Sequence, residues 1–457
     1  MNYPIWLAYA SGVLEESGHT VRLVDAIARK WDHARTLGDV EKFKPEMIIV
    51  DTNFSSVEND IGFAVKAKNV LDGKPLVTAV GPPAAKYSTE MLRDMKADVV
   101  VRKEFEFSLA ELAEEIQGGG DLDRVLGISY GCGDKIIHNS ERPFLTTNDL
   151  DSLPFVSKVY KKHLDIHDYW LDHTRNPMVQ IITSRGCPNL CTFCSWPENL
   201  HGRHFRPRSA NNVVDEIEWI LHELPEVKEI FFEDDSFTVD TNRVSEFCRE
   251  IRRRDLEFTW SCQSRPTIGF QILQEMKKAG CRLVDVGFES GSDLILKNIK
   301  KGVTVERTRR FAADARKANL MVLADFVFGF PGESNSTIEE TKKFIKEIRP
   351  SLLQIAIATP IPGTEFREFL KSNGYLLTDD LRGTIDENGF QKSAVSYPGL
   401  SSDDLEAAVR DSLRKYYLST TYAIEAARNI ILGKGLEELK SMLISAKAFI
   451  ENSGLRQ

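Results

Sequence analysis

Three cysteines stand close together, at Cys187, Cys191 and Cys194, in the stretch Ser184-Arg185-Gly186-Cys187-Pro188-Asn189-Leu190-Cys191-Thr192-Phe193-Cys194. The spacing is C-x3-C-x2-C. Three thiolates on one short loop suit three irons of a [4Fe–4S] cube, whereas simple electron-transfer clusters take four cysteines. With three, one iron is left open for a ligand from outside the protein. Two other readings compete. A structural zinc site needs a fourth ligand, which His201 or His204 could offer. A redox thiol pair wants an isolated C-x-x-C on a thioredoxin-like unit, which this sequence lacks. The other cysteines, Cys132, Cys248, Cys262 and Cys281, are scattered and read as small buried hydrophobes. Seven cysteines in a chain of 457 residues do not suggest a disulfide framework.

A cluster loop needs a rigid support, and the sequence places a strand directly before it. From residue 178 apolar strand patterns at 178–183, 229–233, 258–262, 283–288, 321–328 and 352–358 alternate with amphipathic helical patterns at 211–223, 243–253, 268–279, 305–319 and 338–348. Six such repeats predict an open parallel (β/α)6 partial TIM barrel over 178–366, smaller than the full eight-fold form. Active sites of parallel barrels gather at the carboxyl ends of the strands. There the sequence sets Glu233-Asp234-Asp235, Ser261-Cys262-Gln263-Ser264-Arg265, Glu289-Ser290-Gly291, Gly329-Phe330-Pro331-Gly332-Glu333 and Thr359-Pro360-Ile361-Pro362-Gly363-Thr364. Polar groups directly after apolar strands suit a polar ligand. The region 367–457 reads as mainly helical, with Ser401-Ser402-Asp403-Asp404 capping a helix to Tyr417. Its apolar and aromatic residues, Leu413, Tyr416, Tyr417, Tyr422, Ile430, Ile431 and Leu432, are expected to pack on the barrel, with cover for a lipid-like substrate as the alternative.

Upstream, residues 1–120 form a separate alternating series. A helix over 5–17 ends at Gly18, strands are expected at 20–25, 47–51, 75–80 and 97–101, and helices at 57–71 and 88–95. This is the pattern of a doubly wound, Rossmann-like parallel sheet, which binds ligands at its strands' carboxyl ends. Only four residues precede the first helix, so the opening strand, central in the flavodoxin-like order, is expected to lie on a missing upstream segment. Gly118-Gly119-Gly120-Asp121 marks a boundary, and 121–177 reads as a linker with a small hairpin at 127–130 and 135–139.

Composition is that of an ordinary globular chain, 42% hydrophobic and 28% charged, and a net charge of −9 argues against a nucleic-acid surface. No apolar run approaches the roughly 20 residues of a transmembrane span, and no signal peptide is apparent. A soluble, cytoplasmic protein is expected.

Several motifs together resemble one family. They are Phe-Phe-Glu-Asp-Asp-Ser-Phe at 231–237, Trp-Ser-Cys-Gln at 260–263, Val-Gly-Phe-Glu-Ser-Gly at 286–291 and Phe-Gly-Phe-Pro-Gly-Glu at 328–333, with Trp-Leu-Ala-Tyr-Ala at 6–10 and Val-Leu-Glu-Glu-Ser-Gly-His at 13–19. With the cysteine loop and its Phe193, they resemble the radical S-adenosylmethionine (SAM) family that carries an N-terminal cobalamin-binding domain. The branch of the anaerobic Mg-protoporphyrin monomethyl ester cyclase and the hopanoid-biosynthesis proteins is the most similar; Cys194-Ser195-Trp196-Pro197 and Leu153-Pro154-Phe155-Val156 resemble the hopanoid branch in particular. The resemblance implies a [4Fe–4S] cluster on Cys187, Cys191 and Cys194, with SAM chelating the open iron and cleaved reductively to a 5′-deoxyadenosyl radical. It implies SAM contacts from Phe193, Glu233 and Asp234, with Arg265 near the carboxylate and Glu289 or Ser290 at the ribose or methionine part. It implies cobalamin in the first domain, near Thr52, Gly81 and Pro82. No D-x-H-x-x-G motif supplies a histidine to cobalt, so the cofactor would bind base-off, and His19 reads as a capping residue. The implied reaction is methylation, cyclisation or ring rearrangement at an unactivated carbon of a small-molecule or lipid-like substrate, with electrons from a flavodoxin or ferredoxin. A radical SAM enzyme that does without cobalamin, and a non-catalytic iron–sulfur or zinc redox sensor, are the alternatives. The ring of polar strand ends speaks against the sensor.

Overall fold

Short runs of β-branched and apolar residues build the first sheet. In the computed structural model, which describes residues 2–386 and 390–429, the chain divides into two units: Met1–Tyr169 with Ser195–Ser209, and Trp170–Cys194 with Ala210–Gln457. In the first unit β1 (Met47–Asp51), β2 (Leu76–Val80) and β3 (Val99–Val101) run parallel, with Met47 opposite Leu76 and Thr78 opposite Val99. Five helices accompany them: α1 (Ile5–Glu16), α2 (His33–Phe43), α3 (Val57–Asn69), α4 (Ala84–Arg93) and α5 (Glu106–Gly118). Ala10 of α1 and Leu109 and Leu112 of α5 pack with Val80, Val99 and Val101 on one face. Ile61 and Ala64 of α3 and Met91 of α4 pack with Val77, Ala79 and Val100 on the other. The unit is therefore doubly wound.

Two expectations fail here. The hairpin assigned to a linker, now β4 (Ile128–Cys132) and β5 (Lys135–His138), joins β3 antiparallel and lengthens the sheet, and Cys132 is exposed on it rather than buried. The segment 20–25, expected as a strand, makes no ladder with the described residues, and Leu23 is its one buried apolar side chain. A strand is held by its ladder, and no neighbour offers one there. As a result β1 stands at the edge of the sheet.

The second unit has six parallel strands in sequence order: β6 (Met178–Ile181), β7 (Glu229–Phe232), β8 (Trp260–Ser264), β9 (Cys281–Glu289), β10 (Met321–Phe328) and β11 (Leu352–Ile357). β6 and β11 do not pair, so the barrel is open, as expected. Phe232, Phe237, Phe247 and Trp260 interlock beneath the helices, with ring centroids 5.2–5.7 Å apart. At the amino end Leu283, Met321, Leu323 and Leu352 form an apolar layer, and Glu229 and Arg282 make a buried ion pair at 2.8 Å. The helix Ser402–Tyr417 begins at a Ser401 cap that pairs reciprocally with Asp404, as the sequence indicates, and its Tyr416 hydroxyl bonds the Pro350 carbonyl. It packs on β11, which meets the expectation for Tyr416 and Tyr417; Ile430, Ile431 and Leu432 lie outside the described residues. Among the described residues no helix is long and apolar enough to cross a membrane.

Candidate active site

The cysteine loop leaves the carboxyl end of β6 and is pinned before it reaches Cys187. Asp234, just after β7, accepts from the Thr183 N–H at 2.6 Å and from the Thr183 and Ser184 hydroxyls at 2.5 and 2.7 Å. Asp235 accepts from the Gly186 N–H at 2.9 Å. Further along, the Thr192 N–H donates to the Ile299 carbonyl at 3.0 Å, and the Thr192 carbonyl accepts from Phe366 at 2.9 Å. Cys187 and Cys191 are buried, Cys194 is half-buried, and none of the three is in a disulfide. Asn189 donates to Cys187 Sγ at 3.2 Å, and Arg265 Nη1 stands 3.4 Å from Cys191 Sγ. Positive charge and N–H donors at sulfur stabilise an anionic cluster. No three His, Cys, Asp or Glu side chains among the described residues converge on a point suited to one ion. A cube does not ask for that, because each of its irons takes a separate sulfur. Burial pushes the Cys248 and Cys262 thiols upward, so these remain inert packing groups.

The residues expected around SAM do not all come together. Arg265 and Glu289 are linked to each other through Lys301, and Phe193 lies on the cysteine loop. Phe193 packs on Phe330 with centroids 4.7 Å apart. Arg265 follows β8, bonds the Lys301 carbonyl through Nη2 and leaves a buried Nε without a hydrogen-bond partner among the described residues. Lys301 in turn pairs with Glu289 at 2.6 Å, both ends almost wholly buried. Glu289 ends β9 at a bulge, with φ at 65°. The backbone strain of a left-handed glutamate is held by that ion pair and by Gly287, where a Cβ would lie 2.4 Å from Glu289 Oε1 and 2.9 Å from Lys301 Nζ. Lys301 was not among the expected residues.

Asp234 and Ser290 are engaged elsewhere. Asp234 is consumed by the loop anchor described above. Ser290 is buried against Thr341, 3.2 Å from its hydroxyl, and accepts from the Ser292 N–H at 3.1 Å. Both shape turns with the atoms proposed for ligand contact.

Glu233 keeps part of its surface on the barrel lumen, where Gln180 and Gln263 donate to it at 2.7 and 3.1 Å. Asp285, opposite Gln263, and Asp325 line the same side and hydrogen-bond each other. Burial and the nearby Asp285 push Glu233 from its ordinary value of 4.5 up to about 7. The folded protein thus holds a proton between those values that the unfolded chain has lost, and stability falls as pH rises through this window. Glu233→Gln is expected to remove that slope and to unfold about 2 kcal/mol later than the parent at pH 8, the figure being moderated by the open lumen. Urea unfolding at pH 5 and pH 8 measures it.

In the first unit the carboxyl ends of β1 and β2 carry Thr52, Gly81 and Pro82. The Thr52 hydroxyl is spent on the Val80 carbonyl at 2.6 Å. Gly81, at φ 104°, is required by the chain itself: a Cβ there would meet the Thr52 carbonyl at 2.4 Å and Asp51 Oδ1 at 2.6 Å. These residues join two loops tightly. Asp51 beside them, missed in the sequence, is pushed up to about 7 by burial. His201 packs against Trp6 and Trp196 in this unit, with centroids 4.3 and 5.7 Å away.

This geometry coincides with what comparison finds. Residues 181–345 match the model of the radical SAM superfamily. An uncharacterized methyltransferase of Pyrococcus horikoshii is 30% identical over 91% of this chain and 88% of its own length. An anaerobic magnesium-protoporphyrin IX monomethyl ester cyclase of Rubrivivax gelatinosus is 25% identical over 98% of this chain and 79% of its own, and a hopanoid C-3 methylase of Methylococcus capsulatus 26% over 79% and 67%. The fold is shared with the radical SAM methyltransferase TsrM from Kitasatospora setae, solved with cobalamin and a [4Fe–4S] cluster bound, at a TM-score of 0.71, 18% identity and coverage of 91% and 86%. The chain belongs to the radical SAM superfamily of enzymes.

Proposed function

We propose that this chain is a cobalamin-dependent radical SAM enzyme that transfers a methyl group to an unactivated carbon of a small-molecule or lipid-like substrate. The observation that carries the reading is the set of three closely spaced cysteines, none in a disulfide, on a loop anchored at the carboxyl end of β6, with a guanidinium 3.4 Å from the middle sulfur. When bound, the cluster supplies one electron to cleave the SAM sulfonium to a 5′-deoxyadenosyl radical, and cobalamin supplies the methyl group. Cys187, Cys191 and Cys194 hold three irons. Arg265 offers its unpartnered Nε to the SAM carboxylate, Glu289 is held in place by Lys301, and Phe193 walls the site against Phe330. Cobalamin is assigned to the carboxyl ends of β1 and β2, where a doubly wound sheet opens its ligand crevice. Methyl transfer is preferred over cyclisation because the relative at 30% identity bears a methyltransferase name. Electrons would come from a flavodoxin or ferredoxin.

Anaerobic reconstitution with iron, sulfide and hydroxocobalamin, followed by SAM and dithionite, tests the reading. About four irons per chain, corrin absorbance that survives gel filtration and release of 5′-deoxyadenosine are expected. Deoxyadenosine without retained corrin would leave a radical SAM enzyme that does not use cobalamin. Iron without deoxyadenosine would leave a sensor.

A further inference from the structure

The inner face of the barrel carries charge where such barrels usually carry bulk. Phe288 of β9 and Phe326 of β10 turn outward and pack on Phe344 of the helix Asn335–Ile348, with centroids 6.4 and 6.2 Å away. By the alternation of strands, Asp285 and Gly287 on β9 and Asp325 and Val327 on β10 therefore face the lumen. These four are only half-buried, whereas the outward residues between them, Val286 and Phe326, are fully buried. A parallel barrel ordinarily fills its interior with branched apolar side chains. Here that filling stops at the layer of Leu283, Met321, Leu323 and Leu352. Asp285 and Asp325 follow Leu283 and Leu323 by two residues, and accessible space lined by carboxyl groups begins there.

Those carboxyls have no cation. Asp285 and Asp325 hydrogen-bond each other, yet Oδ1 of each is enclosed without a partner among the described residues. Glu233 takes only the amide donors of Gln180 and Gln263. The neighbouring cations are engaged: Lys301 with Glu289, Arg282 with Glu229, and Arg265 with the Cys191 sulfur and the Lys301 carbonyl. His173 adds a separate sign. Its ring stands edge-on to Phe231, a lumen residue two positions before Glu233, at 5.3 Å. Its Nε2 is enclosed and likewise lacks a hydrogen-bond partner among the described residues. Burial holds the imidazole below its ordinary value, against the opposing pull of Asp285, so the ring offers the carboxyls no positive charge. Buried polar atoms without partners are rare, and buried carboxyls without a cation are costly. A single metal ion does not resolve this, because no three His, Cys, Asp or Glu side chains among the described residues converge on one point.

We propose that this chamber is the polar end of the substrate site and that it seats a protonated nitrogen, the ammonium group of a primary amine, between Asp285 and Asp325. An ammonium brings three N–H donors and the missing charge, so it satisfies both Oδ1 atoms and lets the pair ionise together. A hydroxyl brings one donor and leaves the charges opposed. The chamber also joins the residues assigned to SAM. Gly287 follows Asp285 on the same face and stands opposite Asp325, and a side chain at Gly287 would run into Glu289 and Lys301. A substrate anchored by its nitrogen between the two aspartates thus extends its carbon chain toward Glu289. The ammonium site rests on the radical SAM reading for its chemistry and narrows the substrate class to compounds that carry a basic nitrogen.

Ligand-observed NMR on the reconstituted 457-residue protein with SAM present tests the site, with hexylammonium and hexanol as probes. Hexylammonium is expected to bind saturably and about tenfold tighter than hexanol or better, as a charge-assisted contact implies. The double substitution Asp285→Asn, Asp325→Asn should weaken hexylammonium binding by about tenfold and leave hexanol binding unchanged. Asparagine keeps the shape and removes the like charges, so this variant should melt no lower than the parent, which circular dichroism checks. The comparison of probes on the parent stands without it. Absence of saturable hexylammonium binding to the parent would overturn the proposal. So would equal affinities for the two probes, or undiminished hexylammonium binding in the folded variant. Release of 5′-deoxyadenosine is measured on the same samples. Release without amine binding overturns the ammonium site alone. Amine binding without release upholds the site and counts against the radical SAM reading.

Discussion

Replacing Cys187, Cys191 and Cys194 together by alanine is expected to strip anaerobically reconstituted protein of nearly all its iron and to abolish 5′-deoxyadenosine release. Their side chains are small and their loop is held by Asp234, Asp235 and the Thr192 backbone, none of which is altered. The fold should therefore persist, with a melting temperature within a few degrees of the apo parent. Iron analysis, circular dichroism and product chromatography measure the three quantities. Each single alanine variant should also lose SAM cleavage, because a cube held by two thiolates has lost a third of its protein ligands. The scattered cysteines provide the contrast. Cys248→Ala removes a buried thiol that burial keeps protonated, and it should leave iron content unchanged.

The second large effect concerns Asp234→Ala, and it separates an anchoring role from a ligand role. The carboxylate is almost completely buried and accepts three hydrogen bonds from Thr183 and Ser184; Arg243, which donates to the Thr183 carbonyl at 2.7 Å, opposes the upward push that burial exerts on it. Its removal leaves buried donors unpaired and takes away the negative charge beside Arg243. Such losses cost about 3–5 kcal/mol, or about 10 °C in melting temperature for a unit of this size. Thermal unfolding should show this drop, with slower cluster incorporation because the loop's first residues are released. In whatever fraction reconstitutes, SAM affinity should change less than about twofold, well under 1 kcal/mol. A large loss of SAM affinity with unchanged melting would return Asp234 to the ligand set.

Much of this site could be read from residue order because local chemistry and global position agree. The C-x3-C-x2-C spacing defines the loop, and the apolar run before it defines the strand that carries it. Strand ends shifted where pairing outweighed pattern. β8 spans Trp260–Ser264 rather than 258–262, since its ladder with β9 continues through Gln263 and Ser264, polar residues that a hydrophobic pattern excludes. Asp234 and Ser290 sit where ligand contacts were expected, yet their partners, Thr183 and Thr341, are 51 positions away in the chain and invisible to a local reading. Lys301 carries no motif. Only the fold buries it beside Glu289, and a glycine at 287 was the one available hint that something must pass close. The segment 20–25 alternates correctly for a strand, but pattern describes a face and cannot supply a neighbour. Gly81 and Pro82 are expected near cobalamin. What the chain itself requires of Gly81 is a close approach to Asp51 and Thr52.

The central claim is that three thiolates leave one iron of the cluster free to bind the methionine end of SAM. Electron paramagnetic resonance of the reduced, reconstituted protein tests it directly, recorded without SAM and with SAM labelled by oxygen-17 in its carboxylate. The account predicts altered g values on SAM addition and a hyperfine coupling from the labelled oxygen. A spectrum indifferent to saturating SAM would contradict it.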